Sequence, residues 1–135
     1  MTEPFRIERR VEFGETDMAG IMHFSNFFRY MEVAETAFLR SRGLSVALVH
    51  GPEKLGFPRV SASCDYLKPA RFEDVIEVAV TLEKIGRKSL NFAFEFRCGG
   101  DLLAKGEITS VCCRKSESGG IESVEIPEEL RAKLA

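Results

Sequence analysis

"SNFFRYMEVAETAFLRSRG", residues 25–43, decides the architecture of this chain. Phe27, Tyr30, Met31, Ala34, Ala37 and Phe38 recur at the three- and four-residue intervals of one helix face. Phe28, Val33 and Leu39 widen that face beyond a single stripe, which predicts a helix buried inside the molecule, not laid on its surface. Ser25 and Asn26 are N-cap candidates. Arg40 and Arg42 fall in the last turn, and Gly43 stands where a left-handed residue ends many helices. A helix from Ser25 to Arg42 would be roughly 27 Å long, enough to cross a small domain.

On either side of this helix the period is two. "FRIERRVEF" (5–13) alternates apolar and charged residues, blurred by Arg9–Arg10, and predicts a first strand. A turn-rich loop spans 14–20, and "HGPEKLGFP" (50–58) reads as a second loop. Strands are predicted at 59–67, 75–85, 89–97 and 102–115. The clearest is "SLNFAFEFR" (89–97), where Leu90, Phe92, Phe94 and Phe96 face one way and Asn91, Ala93, Glu95 and Arg97 the other. Gly86–Arg87 and Gly99–Gly100–Asp101 predict tight antiparallel hairpins. "SESGG" (116–120) reads as a flexible loop, and "PEELRAKL" (127–134) as a short terminal helix opened by proline. A flat sheet cannot enclose a helix, but a curved one can. The order therefore predicts an α+β fold over 1–135, one strongly curved antiparallel sheet wrapped around one long central helix.

The chain has 135 residues, 44% of them hydrophobic and 30% charged, which suits one domain with a real core. A net charge of −2 argues against nucleic acid as the main partner. Cys64, Cys98, Cys112 and Cys113 form no CxxC pair, and His23 and His50 are the two histidines. Zinc-ligand spacing is absent, so no metal is expected and the cysteines read as reduced thiols in or near strands. "MTEPFRIERRVEF" has no apolar signal core, and no apolar run approaches the roughly 20 residues of a membrane span. The expectation is a cytoplasmic protein without a membrane partner.

"FGETDMAGIMHFSNFFRYMEVAE" (13–35) and, more weakly, "CDYLKPARFEDVIEV" (64–78) resemble the hotdog-fold acyl-CoA thioesterases of the 4-hydroxybenzoyl-CoA thioesterase-like family. The first stretch joins a loop acid to a helix start at fixed spacing. The resemblance implies a hotdog fold, an acyl-CoA substrate, no cofactor, and a loop acid that attacks the thioester or activates water against it. It also implies a homodimer whose two sheets form one continuous sheet with active sites at the interface, and dimers paired into a homotetramer.

Under that resemblance Asp17 is the expected nucleophile or general base. Ala19 and Gly20 beside it permit a close backbone approach. The N–H groups of Phe24 and Ser25, at the positive end of the helix, would stabilise the oxyanion. Gly20, Asn26, Phe27 and Glu32 are candidate substrate contacts, and His23 is a second candidate catalytic group. Each has a plain reading beside it. Asp17 also fits an Asx-turn with Ala19. His23 also fits simple packing before the helix, Asn26 a helix cap, and Glu32 a polar seam facing solvent or a partner. Glu32 and Glu35 are rival carboxylates on the helix, and His50 is expected in solvent. Lys68, Arg71, Arg87, Lys88, Arg114 and Lys115 lie at strand ends or turns where an anionic CoA tail could run. Two other functions fit the same frame: a non-catalytic binding module for acyl-CoA or acyl-carrier protein, and a dehydratase of 3-hydroxyacyl thioesters.

Overall fold

Leu90, Phe92, Phe94 and Phe96 all point inward and are at most 1% exposed. They lie on β6 (Ser89–Cys98) in the computed structural model, which describes residues 3–50 and 53–135, with the side chains of 49 and 50 excepted. With β1 (Phe5–Arg10), β4 (Arg59–Tyr66), β5 (Val75–Ile85) and β7 (Asp101–Val111), β6 builds a five-stranded antiparallel sheet in the order β1-β5-β6-β7-β4. Each buried Phe contributes about 1.5–3 kcal/mol of apolar transfer, so this stripe is a large part of the core.

The helix α1 (Ser25–Ser41) packs on that face. Its buried side chains are Phe27, Tyr30, Met31, Ala34, Glu35, Phe38 and Leu39. One row of the register, Phe5–Val80–Phe94–Gly106–Cys64, runs across the sheet beneath it. Gly106 leaves a gap in that row that Met31 fills: a Cβ at Gly106 would stand 2.5 Å from Met31 Cε. Burial is one-sided, however. Arg29, Glu32 and Arg40 are exposed, so the predicted fully enclosed helix has an open outer face.

The helix ends as its sequence predicts. Gly43 has φ +73°, the Leu44 N–H donates to Leu39 O at 2.8 Å and the Gly43 N–H to Arg40 O at 3.0 Å. Its cap differs from expectation. Phe24 is the N-cap residue, already in helical conformation, and its side chain makes no capping hydrogen bond. Ser25 and Asn26 are drawn into other hydrogen bonds, described below.

A second, small sheet was not legible in the sequence. β2 (Ala47–His50), β3 (Glu53–Gly56), β8 (Cys113–Lys115) and β9 (Ile121–Ser123) form it in the order β2-β3-β8-β9. The segment read as a loop at 50–58 therefore carries a strand. Four residues are too few to show a period of two above noise. The strand predicted at 102–115 breaks at Cys112, whose N–H donates to Lys88 O (2.7 Å) and whose carbonyl accepts the Val124 N–H (2.9 Å). The 116–120 stretch is a hydrogen-bonded turn, closed by Ser116 N–H to Gly120 O at 2.8 Å. The helix α2 (Glu128–Leu134) follows Pro127 and is held to α1 by Arg42, whose Nη1 donates to Ala135 O at 2.9 Å. Among the described residues, no helix is long and apolar enough to cross a membrane.

Candidate active site

Thr16 to Met22 forms a small hairpin-like loop between β1 and α1. Thr16 and Met22 bridge, the Asp17 N–H donates to Ile21 O (2.9 Å), and the Gly20 N–H donates to Asp17 O (3.0 Å). Gly20 closes this turn with φ +80°, a conformation costly for any residue with a Cβ. The Met22 N–H donates to Ala70 O at 2.7 Å and pins the loop to the chain entering β5.

Within the loop Asp17 Oδ1 accepts the Ala19 N–H at 2.8 Å. This is the Asx-turn, and it occupies one carboxylate oxygen. Oδ2 has no partner among the described residues. Asp17 is exposed at the rim of a cleft of about 440 Å³ lined by Ile21, Met22, Phe24, Phe27, Tyr66 and Leu67. The walls are aromatic edges: Phe27 meets Tyr66 at 5.2 Å and Phe96 at 5.1 Å, and Phe24 meets Tyr66 at 6.3 Å, all T-shaped. Lys68 lines the same cleft and pairs with Asp101 at 3.4 Å.

The helix start presents its N–H groups unevenly. The Ser25 N–H donates to His23 Nδ1 at 3.3 Å, and Ser25 Oγ shares a 2.8 Å hydrogen bond with the same nitrogen. The Phe24 N–H has no acceptor among the described residues. His23 stacks on Phe24 with ring centroids 4.6 Å apart. His23, Ser25, Asn26 and Glu32 line a different cleft from Asp17, of about 780 Å³, together with Arg9 and Arg29. Within one chain, then, Asp17, Phe24 and Phe27 come together, and His23 and Glu32 open onto the other side of the helix start.

A sequence profile of the thioesterase-like superfamily matches residues 11–134. The chain belongs to that superfamily. A curated protein of Aquifex aeolicus with an esterase name is 42% identical over 91 residues, covering 67% of this chain and 70% of its own. A 1,4-dihydroxy-2-naphthoyl-CoA hydrolase of Prochlorococcus marinus (strain MIT 9211) is 30% identical over 125 residues, covering 82% of this chain and 83% of its own. The crystal structure of a 4-hydroxybenzoyl-CoA thioesterase mutant complexed with 4-hydroxybenzoyl-CoA shares the fold, with a TM-score of 0.85 at 20% identity, over 99% of this chain and 100% of that one. The hotdog fold implied by residues 13–35 is thus the fold of this chain.

Three carboxylates of this chain, the rivals Glu32 and Glu35 and the unnoticed Glu15, have defined partners. Glu35 is 2% exposed and is held by Arg59, whose Nε lies 3.1 Å from Oε1. Burial pushes the Glu35 carboxyl up and Arg59 pulls it back down. Glu32 is exposed and lies 3.4 Å from Arg59 Nη1. The fully buried Ser110 hydroxyl faces Glu35 without a hydrogen bond of good geometry. Glu15, which sequence reading passed over, takes four hydrogen bonds. Its Oε1 accepts the Tyr30 O–H (2.6 Å) and the Glu12 N–H (2.8 Å). Its carbonyl accepts the His23 N–H (2.8 Å) and Asn26 Nδ2 (3.0 Å). Asn26 therefore ties the loop to the helix and caps nothing. Glu15 directly precedes the loop and Asn26 follows it by four residues, inside α1, and nothing local says that they meet.

The basic residues proposed for a CoA tail are largely engaged. Arg114 pairs with Glu53 at 2.5 Å and Glu122 at 2.8 Å, and Arg87 with Glu125 at 3.0 Å. The expected exposure of His50 falls on a side chain outside the described residues. Among those described, no three His, Cys, Asp or Glu side chains converge on a point where a metal could sit.

Proposed function

We propose that this protein hydrolyses acyl-CoA thioesters with an aromatic acyl group, using Asp17 and the start of α1. The carrying observation is that Asp17, tethered through one oxygen only, stands at the mouth of an aromatic cleft that also holds Phe24. The free Oδ2 either adds to the thioester carbonyl or takes a proton from a water that adds to it. Negative charge then collects on the carbonyl oxygen, where the unpaired Phe24 N–H and the helix dipole can hold it. The Ser25 N–H, occupied by His23, is a weaker candidate for that role than the sequence suggested. When the tetrahedral intermediate collapses, the C–S bond breaks and CoA leaves as thiolate. In the water route the thiolate accepts the proton held by Asp17. In the direct route water cleaves the Asp17 anhydride and restores the carboxylate. No cofactor is needed for either.

The aromatic preference draws on the edge-lined cleft and on the aryl substrates in the names of the two thioesterases above. The assembly belongs to the same proposal. The edge strand β4 is exposed at every residue but Cys64, with Val60 62% exposed, and an open edge of this kind invites pairing. Joining β4 edges in a homodimer, with dimers paired into a tetramer, would complete the site at an interface between copies.

The test is thiol release from a panel of aromatic and straight-chain acyl-CoAs, wild type beside Asp17→Asn, with the oligomeric state read by light scattering. The asparagine keeps an acceptor for Ala19, so the turn stays while the ionised oxygen is lost. Expected are turnover of aryl-CoAs by the wild type and a loss of at least about a hundredfold in the variant. Full activity in Asp17→Asn would move the chemistry to Glu32 or Glu35. Binding without turnover by the wild type would make the protein a binding module. A single turnover in ¹⁸O-water tests the direct route: label found in Asp17 establishes it, because the water route never places a solvent oxygen there.

A further inference from the structure

We propose that Tyr30 and Glu15 form a strut that sets the Asp17 loop against the start of the central helix, which makes both of them positioning residues; for its effect on turnover this rests on the hydrolytic reading above. Glu15 is the last residue of the single-turn helix Phe13–Glu15 and lies two positions before Asp17. Its carbonyl carries the other half of the site, because the His23 N–H and Asn26 Nδ2 both hang from it. One residue thus fixes where the acid loop begins and where the helix start ends.

Glu15 itself needs an anchor, and its side chain supplies one. Oε1 accepts the O–H of Tyr30 at 2.6 Å, a short hydrogen bond to an ionisable acceptor. Tyr30 is fully buried one turn inside α1, with the Arg9 guanidinium 4.9 Å above its ring. Its rotamer is therefore locked by packing, as a rigid support must be. Apart from this O–H, the carboxylate is held by the Glu12 N–H, which lies in the same turn and gives no reference to the helix. Both donors share Oε1, so one acceptor oxygen is enough. Packing of Tyr30 alone would need only an aromatic ring. The loop needs the oxygen.

The experiment compares wild type, Tyr30→Phe, Glu15→Ala, Glu15→Gln and the double variant Tyr30→Phe/Glu15→Ala by two readouts. The first is amide hydrogen exchange at Asp17 and His23, with Phe94 in the core as reference. The second is kcat and KM for the best acyl-CoA. Tyr30→Phe and Glu15→Ala are expected to speed exchange at Asp17 and His23 with Phe94 unchanged. They should lower kcat about tenfold or more with little change in KM, short of the ~100-fold loss of a 1 Å misplacement. Glu15→Gln should restore both, because its carbonyl oxygen accepts both donors. The double variant should be no worse than either single one. Unchanged exchange or unchanged kcat in Tyr30→Phe, or losses that multiply in the double variant, would overturn the strut. An inactive wild type would sink the hydrolytic reading alone, since exchange still judges whether the strut holds the loop.

Discussion

Arg59, the first residue of the exposed edge strand β4, closes its guanidinium on Glu35 inside the central helix. The two ends of this pair are unequal. Glu35 is buried at 2% exposure, whereas the Arg59 side chain is 33% exposed and has Glu32 as a second partner. Removing Arg59 strands a buried carboxylate, and removing the Glu35 charge leaves Arg59 paired and partly in water. Arg59→Ala should therefore cost about 3 kcal/mol, the lower end for breaking a buried pair, and Glu35→Gln clearly less.

The pH dependence has a definite sign. The folded protein raises the Glu35 carboxyl above its ordinary value of 4.5, so it binds that proton more tightly than the unfolded chain. The contribution of this group is fully present below 4.5 and is lost as pH rises through the folded value. Arg59→Ala removes the group that pulls the carboxyl down, so the window extends upward and the slope persists further. Urea midpoints from pH 4 to 8 should show Arg59→Ala regaining stability in acid relative to Glu35→Gln. Parallel curves for the two variants would contradict the assignment.

Gly106 is required by the approach of helix to sheet. A Cβ there would meet Met31 Sδ at 2.7 Å and the Ser63 carbonyl at 3.2 Å. Met31 is fully buried and the carbonyl is backbone, so neither yields cheaply. Gly106→Ala should destabilise by about 1–3 kcal/mol. A thermal melt of Gly106→Ala that matches wild type would show that Met31 swings aside.

Phe24 and Phe27 are near neighbours in sequence but differ in burial. Phe24 is 60% exposed and Phe27 only 3%. Phe24→Ala should raise KM for aryl-CoAs several-fold with little change in stability. Phe27→Ala should lose about 3 kcal/mol or more of stability, as large aromatic truncations in cores do. Substrate titrations and melts on both variants test this, and the reverse pattern would place the acyl group elsewhere.

The thiols should be quiet in the folded protein. Burial pushes Cys64 and Cys112 up to about 11. At pH 7.5 their thiolate fractions fall well below that of a free cysteine near 8.5. Labelling of both by a thiol reagent should be slow until the protein is denatured. Rapid labelling of Cys64 in native buffer would show that β4 opens.

The central helix, its stop at Gly43 and the inward stripe of β6 were legible in the chain alone, and the Asx-turn of Asp17 was one of two readings open there. Each depends on residues a few positions apart, through a period or a single local hydrogen bond, so the chain carries the whole signal. The helix starts at Ser25 as expected, but its cap does not follow the local N-cap preference of Ser25 and Asn26, which lost to partners supplied by the loop, Glu15 and His23. That Glu35 is buried and Glu32 is not depends on long-range contacts, since Arg59 arrives from 24 residues away. Distant contacts likewise set that His23 opens onto a different cleft from Asp17, and that Cys112 breaks the predicted strand into β7 and β8. Burial, ion pairing and the sharing of one carbonyl by two donors are set by which distant atoms come within reach, and chain folding alone brings them there.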